Sequence, residues 1–422
     1  MNEKLAVDGG TPVRTRAFPC YWGAAVIGDE ELALVTEVIR SRSLFRDYGE
    51  NKPHMVNDLE LEACARFGLK YALAVTSGSA ALYCAMVGLG LGPGDEVIMP
   101  ALAWRSDFQA PLVVGATPVF AEIDRSLGLD PVDFERKITS RTKAVIVIHF
   151  QGGVSDMDGI LAVAKKHGIA VIEDCAQSAG ASYHGEMVGS FGEVAIYSFQ
   201  QNKLISSGEG GLFACKDPIV FERAVRFHDL GLLRSALKAQ LGGIARIPEF
   251  SGLQFRMSEL TGAVALAQLR NLDRRLLNIT RKYHHGLKVS LRNDCHGIQF
   301  RSCQDEAGDA GIILYIDMGQ PEKGQWFSKA LLAEGIQVNG GTRACNILAE
   351  TWVLERRQVH DALPPFGCGC PGENVRYQSN DCPQTDDIIA SMVGVMITSR
   401  HTDEDIADIH RAIVKVWKQC KA

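Results

Sequence analysis

The sequence predicts an α/β protein: a large domain with a mostly parallel mixed sheet, followed by a smaller α+β C-terminal domain. Three observations carry this. Between about residues 70 and 215, short β-branched apolar runs alternate with helical patterns. Those runs are almost continuously apolar, as expected of strands covered on both faces. Beyond residue 256 the pattern changes to a long helix and then to a mixed stretch.

The elements follow in order. Residues 71–75 read as a strand running into the small residues of 76–81. The run 97–99 stops at Pro100, and 118–120 follows Gly115. The runs 144–148 and 170–172 are β-branched strands, and the helix between them, 159–167, closes at Gly168. A further strand covers 194–199. The long helix spans 256–287, with Leu260, Val264, Leu266, Leu269 and Leu272 as its apolar stripe. Then come a strand at 312–316, a helix at 325–332 and a final helix at 402–417. The long helix bridges the two domains, which are expected at residues 1–280 and 281–422. Residues 368–372 read as an irregular loop.

A chain of 422 residues exceeds one ordinary core and suits this division. Apolar residues make up 46% and charged residues 22%, ordinary values for a globular protein. A net charge of −6 argues against nucleic acid as a partner. The 12 cysteines are scattered, mostly in apolar runs, which suits reduced thiols better than a disulfide framework. The first residues lack a signal-peptide stretch, and no apolar run reaches bilayer length. A cytoplasmic protein without a membrane partner is expected.

Three local features carry chemistry. Ser77-Gly78-Ser79 opens an Ala-rich helix, and free N–H groups at a helix start bind anions. An ordinary capped helix reads the same way. Glu173-Asp174 ends a buried strand, where open α/β sheets bind ligands. A carboxylate there suits a pyridinium nitrogen, and equally a helix cap or a metal. Lys203 follows a strand and precedes Gly208-Glu209-Gly210-Gly211. A lysine in such a pocket forms a Schiff base with an aldehyde, although a surface lysine in a glycine-rich turn looks alike.

Together these segments resemble the DegT/DnrJ/EryC1/StrS family of sugar aminotransferases, which depend on pyridoxal 5′-phosphate (PLP) and have fold type I, the aspartate aminotransferase-like fold. The resemblance runs along nearly the whole chain. It rests on Val7 to Pro12, Gly92 to Pro100, Gly115 to Phe120, Glu173 to Gln177, Gly208 to Gly211, Arg256 to Leu260 and Ala267-Gln268-Leu269.

The resemblance implies roles. Lys203 would hold the cofactor covalently and move the substrate proton, and Asp174 would hold the pyridinium nitrogen. Trp104 would lie against the cofactor ring and Gln177 beside it, while Gly78, Ser79 and Ser198 would bind the phosphate. Homodimers with active sites at the subunit interface are implied. Gln254 stands where the family usually has an Asn that reaches the partner's phosphate. Arg105 replaces a small or apolar residue, and either pairs with Asp107 or binds an anionic substrate group. His149, at a strand end, is a substrate candidate or equally a packed core histidine, and His228 precedes a stretch that often borders the substrate in this family. His360, Cys368, Cys370 and Cys382 match no usual zinc spacing, so no metal is expected.

The implied function is transfer of an amino group from glutamate or glutamine to a keto-sugar or keto-cyclitol. Such transfer serves amino-sugar, surface-glycan or secondary-metabolite biosynthesis. A dehydratase or decarboxylase of the same fold, or a regulatory PLP-binding protein without turnover, stands as the alternative. The dehydratases of this fold carry His in place of the lysine, so Lys203 points to amino transfer.

Overall fold

The computed structural model describes residues 3–339, 345–367 and 369–420. The main sheet has seven strands: β1 (Tyr71–Val75), β2 (Glu96–Pro100), β3 (Thr117–Ala121), β4 (Thr142–Ile148), β5 (Ala170–Asp174), β8 (Val194–Ser198) and β9 (Gly211–Cys215). Strands β6 (Ser182–Tyr183) and β7 (Glu186–Met187) form a separate hairpin. The strand order is β1-β9-β8-β5-β4-β2-β3. The five strands from β8 to β3 are parallel, while β9 runs antiparallel to both β8 and β1. This is the mostly parallel mixed sheet that the sequence predicts. Its strands are buried on both faces, which is why they lack polar alternation.

Local signals in the sequence place the helices between them. Asp217 accepts hydrogen bonds from the N–H groups of Ile219 and Val220, and Pro218 occupies the first turn, where no N–H is needed. Asp156 caps the helix Met157–His167 through the N–H of Gly159 at 3.1 Å. The helix Gly78–Gly88 starts beyond β1 and packs against β8 and β9 and against the helix Pro218–His228.

The long helix expected over 256–287 begins later and is interrupted. It consists of Glu259–Leu272, a five-residue π turn Asp273–Leu277, and Asn278–Asp294. A π turn accommodates an extra residue and rotates the stripe that follows it. Leu272, Leu276 and Leu277 accordingly belong to the apolar cluster around the main sheet, whereas Leu287 and Leu291 belong to a second cluster.

The second cluster surrounds an antiparallel sheet of β10 (Gln299–Phe300), β11 (Ile313–Asp317), β13 (Met392–Met396) and β12 (Val338–Asn339), in that order. The helices Pro321–Ala333 and Asp403–Trp417 supply Phe327, Leu331, Ile409, Ile413 and Val416 to it. Leu5, from the other end of the chain, is buried in the same cluster. Buried Glu334 holds that N-terminal segment, accepting hydrogen bonds from the N–H groups of Ala6 at 2.8 Å and Val13 at 3.1 Å.

Candidate active site

The site forms where β5 and β8 end. Asp174 closes β5 and lies opposite Ile196 of β8, four strand residues having brought it to the sheet edge. One oxygen of Asp174 accepts the N–H of Ala176 at 2.8 Å. Beyond Ser198 the chain makes a tight turn: the N–H of Lys203 bonds the carbonyl of Gln200 at 2.9 Å, and the N–H of Gln201 bonds Gly208 at 3.0 Å. Gly208, at φ +81°, lets the chain return in a conformation that other residues rarely adopt. Gly23 crosses this turn, its N–H bonding the carbonyl of Lys203 at 3.0 Å.

Lys203 is half-buried. Burial pushes its ammonium below the ordinary lysine range, and the carboxyls of Asp174 and Asp107 partly offset that. A lysine poised in this way reaches its nucleophilic neutral form more readily than one in water.

The helix start at Gly78 comes to the same edge. Gly211 pairs with Val75 of β1 on one side and Ser198 of β8 on the other. Ser77 caps the helix through the N–H of Ala80 at 3.0 Å. A Cβ on Gly78 would lie 2.8 Å from the Cβ of Ser198, so only glycine allows this approach. The helix start at Gly78 and Ser79 and the end of β8 at Ser198 are thus brought together, and free N–H groups at a helix start suit an anion.

Trp104 precedes the helix Arg105–Val113 and is 55% exposed, leaving an indole open to solvent beside the site. The backbone N–H of Trp104 donates to Oδ2 of Asp107 at 3.0 Å. Gln177 is half-buried one turn beyond Asp174. These residues could hold PLP: Gly78, Ser79 and Ser198 at the helix start, the Lys203 amine, the Asp174 carboxylate and the exposed Trp104 ring.

Other candidates lie elsewhere. Arg105 pairs with Glu350 at 2.7 Å rather than with Asp107, and stays largely exposed. His149 is fully buried; its Nε2 meets Glu173 at 3.0 Å and its Nδ1 accepts the N–H of Ser155 at 3.3 Å. Both ring nitrogens are therefore used inside the protein, so of the two readings the packed core histidine fits and the substrate contact does not. His228 is buried, its Nδ1 donates to the carbonyl of Val225, and burial lowers its pKa to about 4. It is a neutral, internally bonded histidine rather than an open substrate contact. Gln254 is exposed on the bridge that pairs it with Asp229.

Glu173, the other half of the acidic pair, accepts the N–H groups of Gly189, Phe191 and Gly192 at 2.7–2.8 Å. His149, Glu173 and Cys175 form a buried group with metal-like spacing. Those same bonds occupy the carboxylate and the imidazole. Cys368 lies outside the described residues.

Two residues lie at the site to which the sequence assigns no place there, Asp107 being expected only as a partner for Arg105. Asp107 is buried beside Asp174 and Lys203; its place three residues after Trp104, the spacing of a capping box, was its one available signal. Cys345 reaches the site because its carbonyl accepts the N–H of Ala103 at 2.8 Å. Burial lifts its thiol to about 11 while Lys203 pulls it back. No local pattern announces it.

Comparison with known proteins agrees with this geometry. The DegT/DnrJ/EryC1/StrS aminotransferase family model matches residues 25–349. The spore coat polysaccharide biosynthesis protein SpsC of Bacillus subtilis is 30% identical over 93% of this chain and 96% of its own length. The L-glutamine:2-deoxy-scyllo-inosose aminotransferase of Streptomyces kanamyceticus is 35% identical over 69% of this chain and 68% of its own length. Among solved structures, 3-amino-5-hydroxybenzoic acid synthase superposes with a TM-score of 0.77 at 25% identity, covering 96% of this chain and 100% of that one. Helicobacter pylori PseC shares the fold, with a TM-score of 0.74 over 96% of this chain and 100% of its own. Amino transfer is thereby favoured over dehydration, decarboxylation or a purely regulatory role. The chain belongs to the DegT/DnrJ/EryC1/StrS aminotransferase family and is a PLP-dependent aminotransferase of fold type I.

Proposed function

We propose that the enzyme moves an amino group from glutamate or glutamine to a keto-sugar or keto-cyclitol, with Lys203 and Asp174 as its catalytic groups. The observation that carries this reading is the desolvated Lys203 ammonium under the influence of the Asp174 carboxylate at the sheet edge. The acceptor class follows from the relatives, one named for spore coat polysaccharide biosynthesis and one for an inosose.

The bound cofactor supplies an electron sink for the pair left when the donor's α-proton departs. The rest is done by the chain. Gly78, Ser79 and Ser198 hold the phosphate by N–H and hydroxyl groups. Trp104 would lie against the cofactor ring, and Gln177 would touch its phenolic oxygen or the opposite face. Asp174 keeps the ring nitrogen protonated by offering it a fixed negative charge. Lys203 would hold the cofactor covalently through Nζ, and the same Nζ would serve as the base and acid that moves the substrate's α-proton.

A homodimer completes the reading. Leu230, Leu232 and Leu253 are exposed large apolar residues; Leu253 precedes exposed Gln254, and the N–H of Leu230 bonds the carbonyl of Leu253 at 2.9 Å. We assign this surface to the subunit interface, with Gln254 reaching the partner's phosphate site. The division into domains 1–280 and 281–422 belongs to the same proposal. So does a cytoplasmic location, which the free cysteines favour; no helix among the described residues is long and apolar enough to cross a membrane.

The test is a titration of the PLP-loaded enzyme with glutamate and with glutamine, followed by its visible absorbance, then a screen of keto-sugars and keto-cyclitols. The expected result is loss of the band with one of the donors and its return with the right ketone. An unchanged band with both donors would overturn the reading.

A further inference from the structure

Two carboxyl groups meet beneath the site. Asp107 is 1% exposed, on the first turn of the helix Arg105–Val113, and Asp174 is 6% exposed at the end of β5. Their side chains are within hydrogen-bonding reach of one another. Two ionised carboxylates so placed repel, and a hydrogen bond between them needs one proton. The remaining contacts say which oxygen carries it. Oδ2 of Asp107 accepts the N–H of Trp104 at 3.0 Å. Its Oδ1 is buried and receives no hydrogen bond from any donor. Oδ1 of Asp174 accepts the N–H of Ala176 at 2.8 Å. The atom without a donor is thus the atom free to be one.

We propose that Asp107 is a positioning residue: a carboxylic acid whose Oδ1 hydroxyl donates to the Asp174 carboxylate while its Oδ2 holds Trp104. One side chain then fixes both the carboxylate proposed for the cofactor's ring nitrogen and the backbone that carries Trp104. The inference rests on the proposed roles of Asp174 and Trp104. It adds a distinct consequence, that the negative charge under the ring is single and shared rather than double.

The charged and titratable groups around Asp107 agree. Asp174 from β5 and Lys203 from the turn after β8 face it, and Cys345 approaches from the segment that pairs with residues 101–103. Burial comes first and Asp174 second in lifting the Asp107 carboxyl well above the ordinary range; Lys203 lowers it only in part. Arg105, its neighbour in sequence, is engaged with Glu350 and does not neutralise it.

The test uses three proteins: wild type, Asp107→Asn and Asp107→Ala. Asn keeps an acceptor for Trp104 and offers Asp174 a donor that never titrates. Ala removes both. Thermal unfolding of the cofactor-free proteins is measured against pH. A carboxyl with a raised pKa binds its proton more tightly when folded, so folding loses stability as pH rises from the ordinary carboxyl value toward the raised one. Wild type should therefore fall relative to Asp107→Asn as pH rises, whereas Asp107→Ala should be less stable than Asp107→Asn by an offset without that slope. Parallel wild-type and Asn curves would overturn the proposal, because a merely structural cap predicts no slope.

A second readout uses the loaded proteins. Asp107→Ala should hold PLP roughly tenfold more weakly, the size of one lost hydrogen bond to a charged group, and Asp107→Asn should restore the affinity. Equal weakening in both variants would also overturn the inference. If wild type forms no visible band with PLP, the functional reading fails instead, and the pH slope of the cofactor-free protein still decides the protonation of Asp107.

Discussion

Glu173 and Asp174 are consecutive residues of β5 whose carboxyl groups serve opposite faces of the main sheet. Glu173 is fully buried among the N–H groups of Gly189, Phe191 and Gly192 and the ring of His149. Asp174 faces Asp107 and Lys203. Alternation along a strand makes this separation unavoidable. The pair that reads as one acidic motif is a structural residue followed by a functional one.

Substitution should separate the two. Glu173→Gln replaces a charged acceptor of three backbone N–H groups, so unfolding in denaturant should show a loss of about 3 kcal/mol. Asp174→Asn should unfold close to wild type yet lose kcat about 100-fold, the scale of one removed electrostatic stabiliser. Equal stability losses in both would contradict the division of labour.

Lys203 makes the opposite pH statement from Asp107. Its pKa is lowered by burial, so the cationic form is disfavoured in the folded state. That cost is present below the lowered value and disappears as pH rises through it toward the ordinary lysine range. Cofactor-free Lys203→Met should therefore be more stable than wild type at neutral pH, with the gap closing at alkaline pH. Loaded with PLP, it should show no lysine-linked visible band and no transamination. A Met variant less stable than wild type at neutral pH would contradict the assigned burial cost.

Gly78→Ala tests the phosphate cradle. Its Cβ would sit 2.8 Å from that of Ser198 and force the helix start away from β8. Overpacking of this kind costs about 1–3 kcal/mol, and PLP dissociation should accelerate roughly tenfold or more. An unchanged dissociation rate, measured by dilution of the loaded enzyme, would place the phosphate elsewhere.

Arg105 pairs with Glu350 at the surface, and such pairs contribute about 0–1 kcal/mol. Arg105→Ala should leave unfolding nearly unchanged. If Arg105 contacts an anionic acceptor, KM for an acidic keto-sugar should rise while that for a neutral one stays. Equal KM values for both acceptors in both proteins would remove the basis for that contact.

Much of this was legible in the linear chain. Strands β1 to β5, β8 and the helix Met157–His167 have bounds close to those expected, because each carries its own period, cap or breaker. The π turn at Asp273–Leu277 was not, since a helix that widens by one residue keeps an apolar, helix-forming composition. His149 follows a strand beside the site, and the sequence leaves open whether it faces the pocket or packs in the core; its side chain pairs with Glu173 inside the protein.

By itself the sequence determined the α/β class, the turn that presents Lys203, the glycine at position 78 and the acidic end of β5, because each depends on residues adjacent in the chain. Tertiary structure alone decided that Asp107 lies against Asp174, that Cys345 reaches the same site, that Arg105 meets Glu350 and that Glu334 holds the N-terminal segment. Those contacts join segments far apart in sequence. Their electrostatics depend on distance and burial, which become defined only when the sheet edges, helices and loops have packed.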